Sequence, residues 1–447
     1  MKTLARVVEP MAAPSYRRFR SALGEHILAV PRSRIYDLGG AGEGFDEVEL
    51  DGLVKALIDT VALDEPGREP LDSVVAPAPQ SISLNVSSSC NLSCTYCYAS
   101  RGNFGGAQPQ PMSWETARDA IDSLLEQADP SAPITVGFLG GEPFVNRRLI
   151  HQSVDYAAKV AMARRLDVRF SVTTNGTLLR EDDLHLLRSH RFAVTISIDG
   201  DVQTHERLRP LVNGQVGSHA QLHAAIAPLL RDPGHAQIAG RATVTRFGLN
   251  VTRSFDAIRR TGFQEVGFAP LKSGPDGSGA LRDGDWSAYL ASLTALARRE
   301  LQDAIEGAPI RLTNFAVALK QLHRGACSPY PCGAGGGYFS VGANGDWYTC
   351  HRAIGNAAYR VGDSHAIDET RRAKFLIERH VHAQTDCNAC WARYLCSGGC
   401  HQEAANRTVA SCDFVRGWLD FCLSAYVELS ERRPEFFAPI KQSNRTV

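Results

Sequence analysis

Residues 81–97 read SISLNVSSSCNLSCTYC. The opening SISLNVS alternates apolar and polar side chains with the period of a β-strand. The strand runs straight into Cys90, Cys94 and Cys97, spaced C-x3-C-x2-C. In an α/β barrel the loops at the C-terminal ends of the strands carry the chemistry. Three thiolates can hold three corners of a [4Fe–4S] cube and leave the fourth iron open to a chelating molecule. A closed zinc site takes four ligands, and electron-transfer clusters take four cysteines. The trio therefore points to a reactive cluster; a zinc ion completed by a distant His is the competing reading.

Outward from this stretch, residues 80–310 alternate strand and helix. Strand patterns fall at 81–87, 134–141, 168–176, 192–200, 238–246 and 265–271. Helical spacing falls at 113–128, 149–165, 181–190, 219–231, 254–262 and 286–305. Repeated βα units with short loops predict a parallel sheet. Six strands are too few for an eight-fold barrel, so the expectation is an α/β fold built on a partial (β/α)6 barrel. Residues 1–79 read as a small N-terminal module: two or three short strands, a helix in DEVELDGLVKALIDTVAL, then a Pro-rich linker. Residues 311–425 gain Cys, Gly and aromatics and lose the alternation, as metal-stapled regions do. Residues 426–447 read as a tail.

The 447 residues carry 48 Lys plus Arg against 48 Asp plus Glu, so the net charge is zero. That excludes a broad electrostatic attraction to nucleic acid or anionic lipid. No apolar run is long enough for a spanning helix, and Pro and Arg interrupt the first 20 residues before a signal-peptide core. A cytoplasmic protein is expected. Its 12 cysteines then argue for metal or catalysis over disulfides. They form two groups, at 90–97 and 327–422, with none between.

The trio resembles the signature of the radical S-adenosylmethionine (SAM) enzymes, and further motifs follow in order. FLGGEPFVN (138–146) resembles that family's Gly-Gly-Glu-Pro motif. By that resemblance Gly140 and Gly141 let the backbone approach SAM, and Glu142 accepts from its amino group. TTNG (173–176) resembles the segment near the ribose, making Thr174 and Asn175 candidates. SIDGDVQTHERLRP (197–210) resembles a stretch of the peptide-modifying branch, carried here by Ser197, Asp199 and Arg209, with Arg209 as a carboxylate clamp. Tyr96 resembles the aromatic on the adenine side. From Cys332 the run C-x12-G-x4-C to Cys350, then Cys387, Cys390, Cys396, Cys400 and Cys412, resembles the SPASM extension, which holds auxiliary [4Fe–4S] clusters. The resemblance implies one auxiliary cluster on Cys332, Cys350 and Cys400, with Cys327 as a possible fourth ligand. It implies a second on Cys387, Cys390, Cys396 and Cys412, and so three clusters with the SAM site. Cys422, in a helix-like run, reads as a core thiol.

SPASM enzymes modify ribosomally made peptides and proteins. In the anaerobic sulfatase maturases an Asp follows the last Cys of the first auxiliary group; here His351 stands there, which counts against formylglycine formation. The run Cys350-His351-Arg352-x-x-Gly355 … Gly362-Asp363 instead resembles the thioether-forming maturases. These include the maturase of the small Cys-rich subunit of quinohemoprotein amine dehydrogenase. The implied activity joins a peptide Cys sulfur to carbon, with His351 either removing the thiol proton or bonding a cluster sulfur. The implied partners are a Cys-containing peptide and a reductase, flavodoxin or ferredoxin as electron donor. Carbon–carbon crosslinking, epimerisation and formylglycine formation are the alternative outcomes. The N-terminal module resembles a winged-helix leader-recognition element that takes a peptide as an added strand, or it only covers the barrel.

Overall fold

The structure, a computed structural model, describes residues 14–38, 47–60, 75–104, 110–212, 215–274, 277–363 and 365–438. Residues 1–13 of the targeting-segment reading (1–20), most of the linker and the end of the tail lie outside the described residues. An antiparallel sheet of β1 (Tyr16–Ser21), β2 (Gly24–Ala29) and β3 (Arg34–Asp37) comes first, followed by α1 (Glu47–Thr60). Val54 of α1 packs on Ile27 and Ala29 of β2 and closes a small core there.

The central part runs β4 (Ser81–Ser87), α2 (Trp114–Gln127), β5 (Ile134–Gly140), α3 (Arg147–Arg164), β6 (Val168–Thr174), α4 (Glu181–Ser189), β7 (Phe192–Ser197), α5 (Val202–Leu208), α6 (Ser218–Arg231), β8 (Gln237–Val244), α7 (Val251–Arg260), β9 (Glu265–Pro270), α8 (Asp283–Ile305) and α9 (Thr313–His323). Strands β4 to β9 lie parallel and in sequence order. All six strands and six of the helices fall where the periodicity puts them; α5 and α9 are additions. The parallel α/β fold expected of a radical SAM domain is the one observed.

Register explains why the sheet has two different faces. Ser83 pairs with Gly137, Gly137 with Ser171, and Ser197 with Arg241. Paired residues share a face, so one face carries Ser83, Asn85, Ser171, Thr173, Ser197, Arg241 and Thr243, small or polar. The other carries Ile82, Leu84, Val86, Phe138, Phe170, Val172, Val194 and Ile196, buried in the main core. That core is where the helices pack; α2 contributes Ala117, Ala120, Ile121 and Leu124 at helical spacing. Each fully buried Leu, Ile or Phe contributes about 1.5–3 kcal/mol. The polar face is left for a site.

The C-terminal part continues the same sheet. It comprises β10 (Tyr338–Val341), β11 (Asp346–Tyr348), β12 (Arg360–Asp363), α10 (Glu369–Arg379), two short helices α11 (Thr385–Asn388) and α12 (Arg393–Cys396), and α13 (Val409–Arg432). β10 pairs in parallel with β4, and β11 and β12 extend the sheet outward to nine strands. Helix α13 runs through position 425, where the sequence suggests a boundary, and shares the main core through Cys422, Leu423 and Leu429. Cys422 is fully buried there. Arg372, itself buried, donates to the carbonyls of Pro77, Gly335 and Gly336 and so ties the approach to β4 to the C-terminal part. Among the described residues no helix is long and apolar enough to cross a membrane.

Candidate active site

The loop after β4 is anchored on both sides. Ser93 N–H donates to Pro210 O (2.8 Å) and Thr95 N–H to Leu208 O (3.0 Å), fixing it to the end of α5. On the other side Asn175 Nδ2 reaches Asn91 Oδ1 (2.9 Å) and Cys90 Sγ (3.8 Å), while Asn91 Nδ2 donates to Thr177 Oγ1 (2.8 Å). Cys90, Cys94 and Cys97 are all partly buried and within electrostatic reach of one another. Burial pushes the Cys90 thiol up to about 12 and also raises Cys94. Thiols this reluctant to ionise alone become thiolates when a cationic centre takes their sulfur. Among the described residues no three Cys, His, Asp or Glu side chains converge on a single ion; in a cubane each ligand takes a different iron.

Gly140 and Gly141 are needed for contact, but with the chain itself. A Cβ at Gly141 would stand 2.3 Å from Arg101 O and 2.4 Å from Ser89 O, and one at Gly140 2.3 Å from Ser87 O. Gly140 also has φ 154°. The close approach expected for a cofactor is thus made by the cysteine loop, whose Ser87 and Ser89 carbonyls accept from Gly141 and Glu142 N–H.

Glu142 is fully buried and accepts from Phe144 N–H (3.1 Å), Thr174 Oγ1 (2.6 Å) and Asn175 N–H (2.7 Å). Burial raises its pKa, against those hydrogen bonds. It clamps the end of β5 to the end of β6. A carboxylate has about four acceptor sites, so Oε2, with one donor, retains one for an ammonium group. Asp199, Tyr96 and Arg209 form a second knot beside Cys94. Tyr96 donates to Asp199, Arg209 Nη1 donates to Tyr96, and Arg209 lies 3.8 Å from Asp199, which also accepts from Thr243 N–H. Arg209 is 8% exposed, and its buried Nε has no hydrogen-bond partner among the described residues. His205 accepts from Asp199 N–H; burial first, then Arg209, pushes it down to about 2, so it is neutral. Ser197 closes β7, half-buried.

The C-terminal cysteines fall into two neighbourhoods. Cys332, Cys350 and Cys400 lie within reach of one another, and burial pushes Cys350 up to about 11. Cys387, Cys390, Cys396 and Cys412 form the other, and burial pushes Cys396 up to about 11. Those four line a cavity of about 350 Å³. Cys327 packs, with Cys387 and Trp391, on the small apolar cluster of Val30, Val381 and Tyr394.

Between the two cysteine groups is a contact the motifs do not announce. The Arg352 guanidinium stacks over Tyr98, next to Cys97, at 5.2 Å, reaches Cys400 Sγ at 3.9 Å and pairs with Glu403 at 2.5 Å. Lys272, after β9, lies 3.7 Å from the same Glu403. His351 faces the Tyr98 ring, and its Nδ1 is 3.1 Å from the Tyr338 hydroxyl. Burial, with Arg352 and Arg241, pushes His351 down to about 4. Only the Cys-His-Arg run hints at Arg352; Tyr98, Glu403 and Lys272 carry no local signal.

The model of the Radical SAM superfamily matches residues 84–227. A 132-residue stretch is 36% identical to an uncharacterized protein, MJ0907, of Methanocaldococcus jannaschii; it covers 30% of this chain and 42% of that one. The chain is 24% identical over 341 residues to the cysteine-type anaerobic sulfatase-maturating enzyme of Clostridium novyi, covering 71% of this chain and 86% of the relative. Among solved structures, native anSMEcpe with bound AdoMet aligns with TM-score 0.66 at 19% identity, covering 79% of this chain and all of that one. Streptococcus suis SuiB bound to precursor peptide SuiA aligns with TM-score 0.52 at 13% identity, covering 90% and 98%. Residues 84–227 carry a radical SAM domain, with the cysteine trio at the end of its first parallel strand. Three sulfur donors, a spare acceptor on Glu142 and an orphaned guanidinium nitrogen on Arg209 fit a [4Fe–4S] cluster chelated by an amino acid's amino and carboxylate groups.

Proposed function

We propose that this enzyme installs Cys-to-carbon thioether crosslinks in a ribosomally made, Cys-containing peptide. The observation that carries the reading is the pairing of a SAM-type cysteine trio with two further cysteine neighbourhoods, joined through Tyr98, Arg352 and Cys400. The similarity to sulfatase-maturating enzymes and to SuiB, which binds a precursor peptide, supports a polypeptide substrate.

In this reading Cys90, Cys94 and Cys97 hold the SAM cluster, Cys332, Cys350 and Cys400 a first auxiliary cluster, and Cys387, Cys390, Cys396 and Cys412 a second. With SAM bound there, a reduced cluster would supply the chemistry that removes a hydrogen atom from a substrate carbon. The protein's own residues orient and shield. Asn91 and Asn175 fix the Cys90 end of the loop. Glu142 receives the amino group, and Arg209, held by Asp199 and Tyr96, offers Nε to the carboxylate. His351, whose ring lies against Tyr98, would take the proton of the attacking thiol, and the first auxiliary cluster would supply the acceptor for the one electron released as the C–S bond forms. The outer edge of β1 is occupied by α13, through Arg17–Asp420 and a hydrogen bond from Ser424 to Arg20 O. The N-terminal sheet therefore offers β3 for an added peptide strand. A flavodoxin or ferredoxin delivers electrons.

The test is product mass. Reduced, reconstituted enzyme with SAM and a Cys-containing precursor peptide sought among the neighbouring reading frames should yield a product lighter by one hydrogen pair per crosslink, with the linked Cys resistant to thiol alkylation. Unchanged mass counts against the thioether reading and, where a stereocentre is inverted, means epimerisation. A Cys converted to formylglycine, the outcome its sulfatase-maturating relatives favour, would replace this reading. A lighter product whose cysteines still alkylate means a carbon–carbon bond.

A further inference from the structure

The second C-terminal cysteine set is ringed by cations that the reaction described above leaves without a task. Arg407 Nη1 donates to Cys387 Sγ at 2.8 Å; its other hydrogen bonds go to Gln384 Oε1 (2.8 Å) and the Gly398 carbonyl (2.6 Å). Among the described residues no carboxylate pairs with it. Arg416, one turn of α13 beyond Cys412, lines the same cavity as Cys390, within electrostatic reach of its sulfur, and pairs with Asp413 at 2.6 Å. Arg379 stands within electrostatic reach of both Cys387 and Cys400, donates to His401 Nδ1 (3.1 Å), and has a buried Nη2 with no partner among the described residues. The first set is arranged differently. Its nearest guanidinium, Arg352, reaches Cys400 only at 3.9 Å and shares Glu403 with Lys272.

A cluster held by four thiolates is anionic and gains one more negative charge when it accepts an electron. A guanidinium that donates into a ligand sulfur stabilises the reduced form more than the oxidised one. A partly buried site strengthens the effect, because the local dielectric is low. Arg407 does this with an uncompensated charge, and Arg416 adds a second guanidinium in the same cavity, within electrostatic reach of another sulfur of the set. We propose that Arg407 and Arg416 are positioning residues that make the cluster on Cys387, Cys390, Cys396 and Cys412 the more easily reduced of the two C-terminal clusters. The inference rests on the reading that these four cysteines hold a [4Fe–4S] cluster.

The experiment is a dithionite redox titration of the full-length, anaerobically reconstituted protein followed by EPR, with iron and sulfide measured first on every sample. Cys390→Ala identifies the signal of the second cluster; if it keeps the parent's full iron, the cluster reading itself fails. In the parent, the signal lost in Cys390→Ala should be the C-terminal one with the higher midpoint potential. Arg407→Gln with full iron should move that midpoint to lower potential and leave the SAM-site and first auxiliary signals in place. Arg407→Lys, which keeps the charge, should fall between the two. A second-cluster midpoint below the first in the parent, or unshifted in iron-replete Arg407→Gln, overturns the proposal. Should Arg407→Gln lose iron, Arg416→Gln takes its place: a lowered midpoint supports the proposal and an unshifted one overturns it.

Discussion

Glu142→Gln is the substitution with the clearest consequence. The carboxylate receives three donors: Phe144 N–H and Thr174 Oγ1 on Oε1, and Asn175 N–H on Oε2. A Gln side chain supplies one acceptor oxygen and one NH2. With the oxygen kept toward Phe144 and Thr174, the new NH2 confronts the Asn175 N–H, and one buried donor is stranded at a cost of about 1–3 kcal/mol. The flipped amide strands two donors and costs about twice that, so the first orientation prevails. Removing the buried charge returns part of the loss, since burial disfavours the ionised form. The expected net is about 1–2 kcal/mol in equilibrium denaturant unfolding. The functional effect is larger than the structural one, because the spare acceptor on Oε2 disappears with the oxygen. SAM binding, read calorimetrically on iron-replete protein, should weaken together with 5′-deoxyadenosine release, whereas Thr174→Val should lower stability by about 1 kcal/mol and spare SAM affinity. If Glu142→Gln binds SAM as the parent does and unfolds at the same denaturant concentration, the clamp reasoning is wrong.

Other expectations follow from the same geometry. Gly141→Ala forces a methyl to within 2.4 Å of two backbone carbonyls that have no side-chain freedom to move; it should displace the cysteine loop and lower iron loading. Gly284→Ala, in the first turn of α8 with open space around it, should instead leave iron loading at the parent's level and raise stability by up to about 1 kcal/mol. Iron analysis and thermal melts separate the pair. Stability should fall as pH drops: His205 is held down to about 2 and His380 to about 4, chiefly by burial, against about 6.5 when unfolded. The unfolded chain binds the extra protons below about pH 6.5, so stability present above that pH is progressively lost beneath it. Unfolding curves at neutral and mildly acidic pH check this, and an unchanged slope in His205→Gln would contradict it. Cys94→Ala should abolish SAM cleavage and leave the C-terminal iron in place, from about twelve irons to about eight on a three-cubane count; retained deoxyadenosine formation would refute the trio's role.

The central sheet is legible in the sequence because each of its six strands carries a period-two or wholly apolar pattern and each is closed by a loop with Gly, Asn or Asp. The cysteine loop is legible because its ligand spacing is local. What stays hidden depends on contacts distant in sequence. Nothing in YFSV at 338–341 says that it pairs with SISL at 81–84; a four-residue strand has too little pattern, and its partner lies some 250 residues earlier. The same holds for Glu142. Its motif is recognisable, but its engagement with Thr174 and Asn175 depends on how two strand ends meet. Gly140 and Gly141 suggest room for a ligand, whereas a glycine marks only a close approach and cannot say which group makes it.

The pairing of β10 with β4 changes what the C-terminal metal region does for the rest of the molecule. A detached metal-stapled module could lose its metal and unfold alone. Here Tyr338–Val341 hydrogen-bonds along the strand that leads into Cys90, Arg372 holds the chain just before that strand, and α13 carries Cys412 near one end and core residues of the barrel along the rest. A cluster held by Cys387, Cys390, Cys396 and Cys412, as proposed, would therefore be coupled to the placement of the Cys90–Cys97 loop through backbone and core. Cys390→Ala should lower the cooperativity of unfolding for the whole protein, with hydrogen exchange quickening in β4 as well as around the lost ligand. Protection in β4 equal to the parent's would mean that the two ends of this sheet are energetically separate despite their hydrogen bonds.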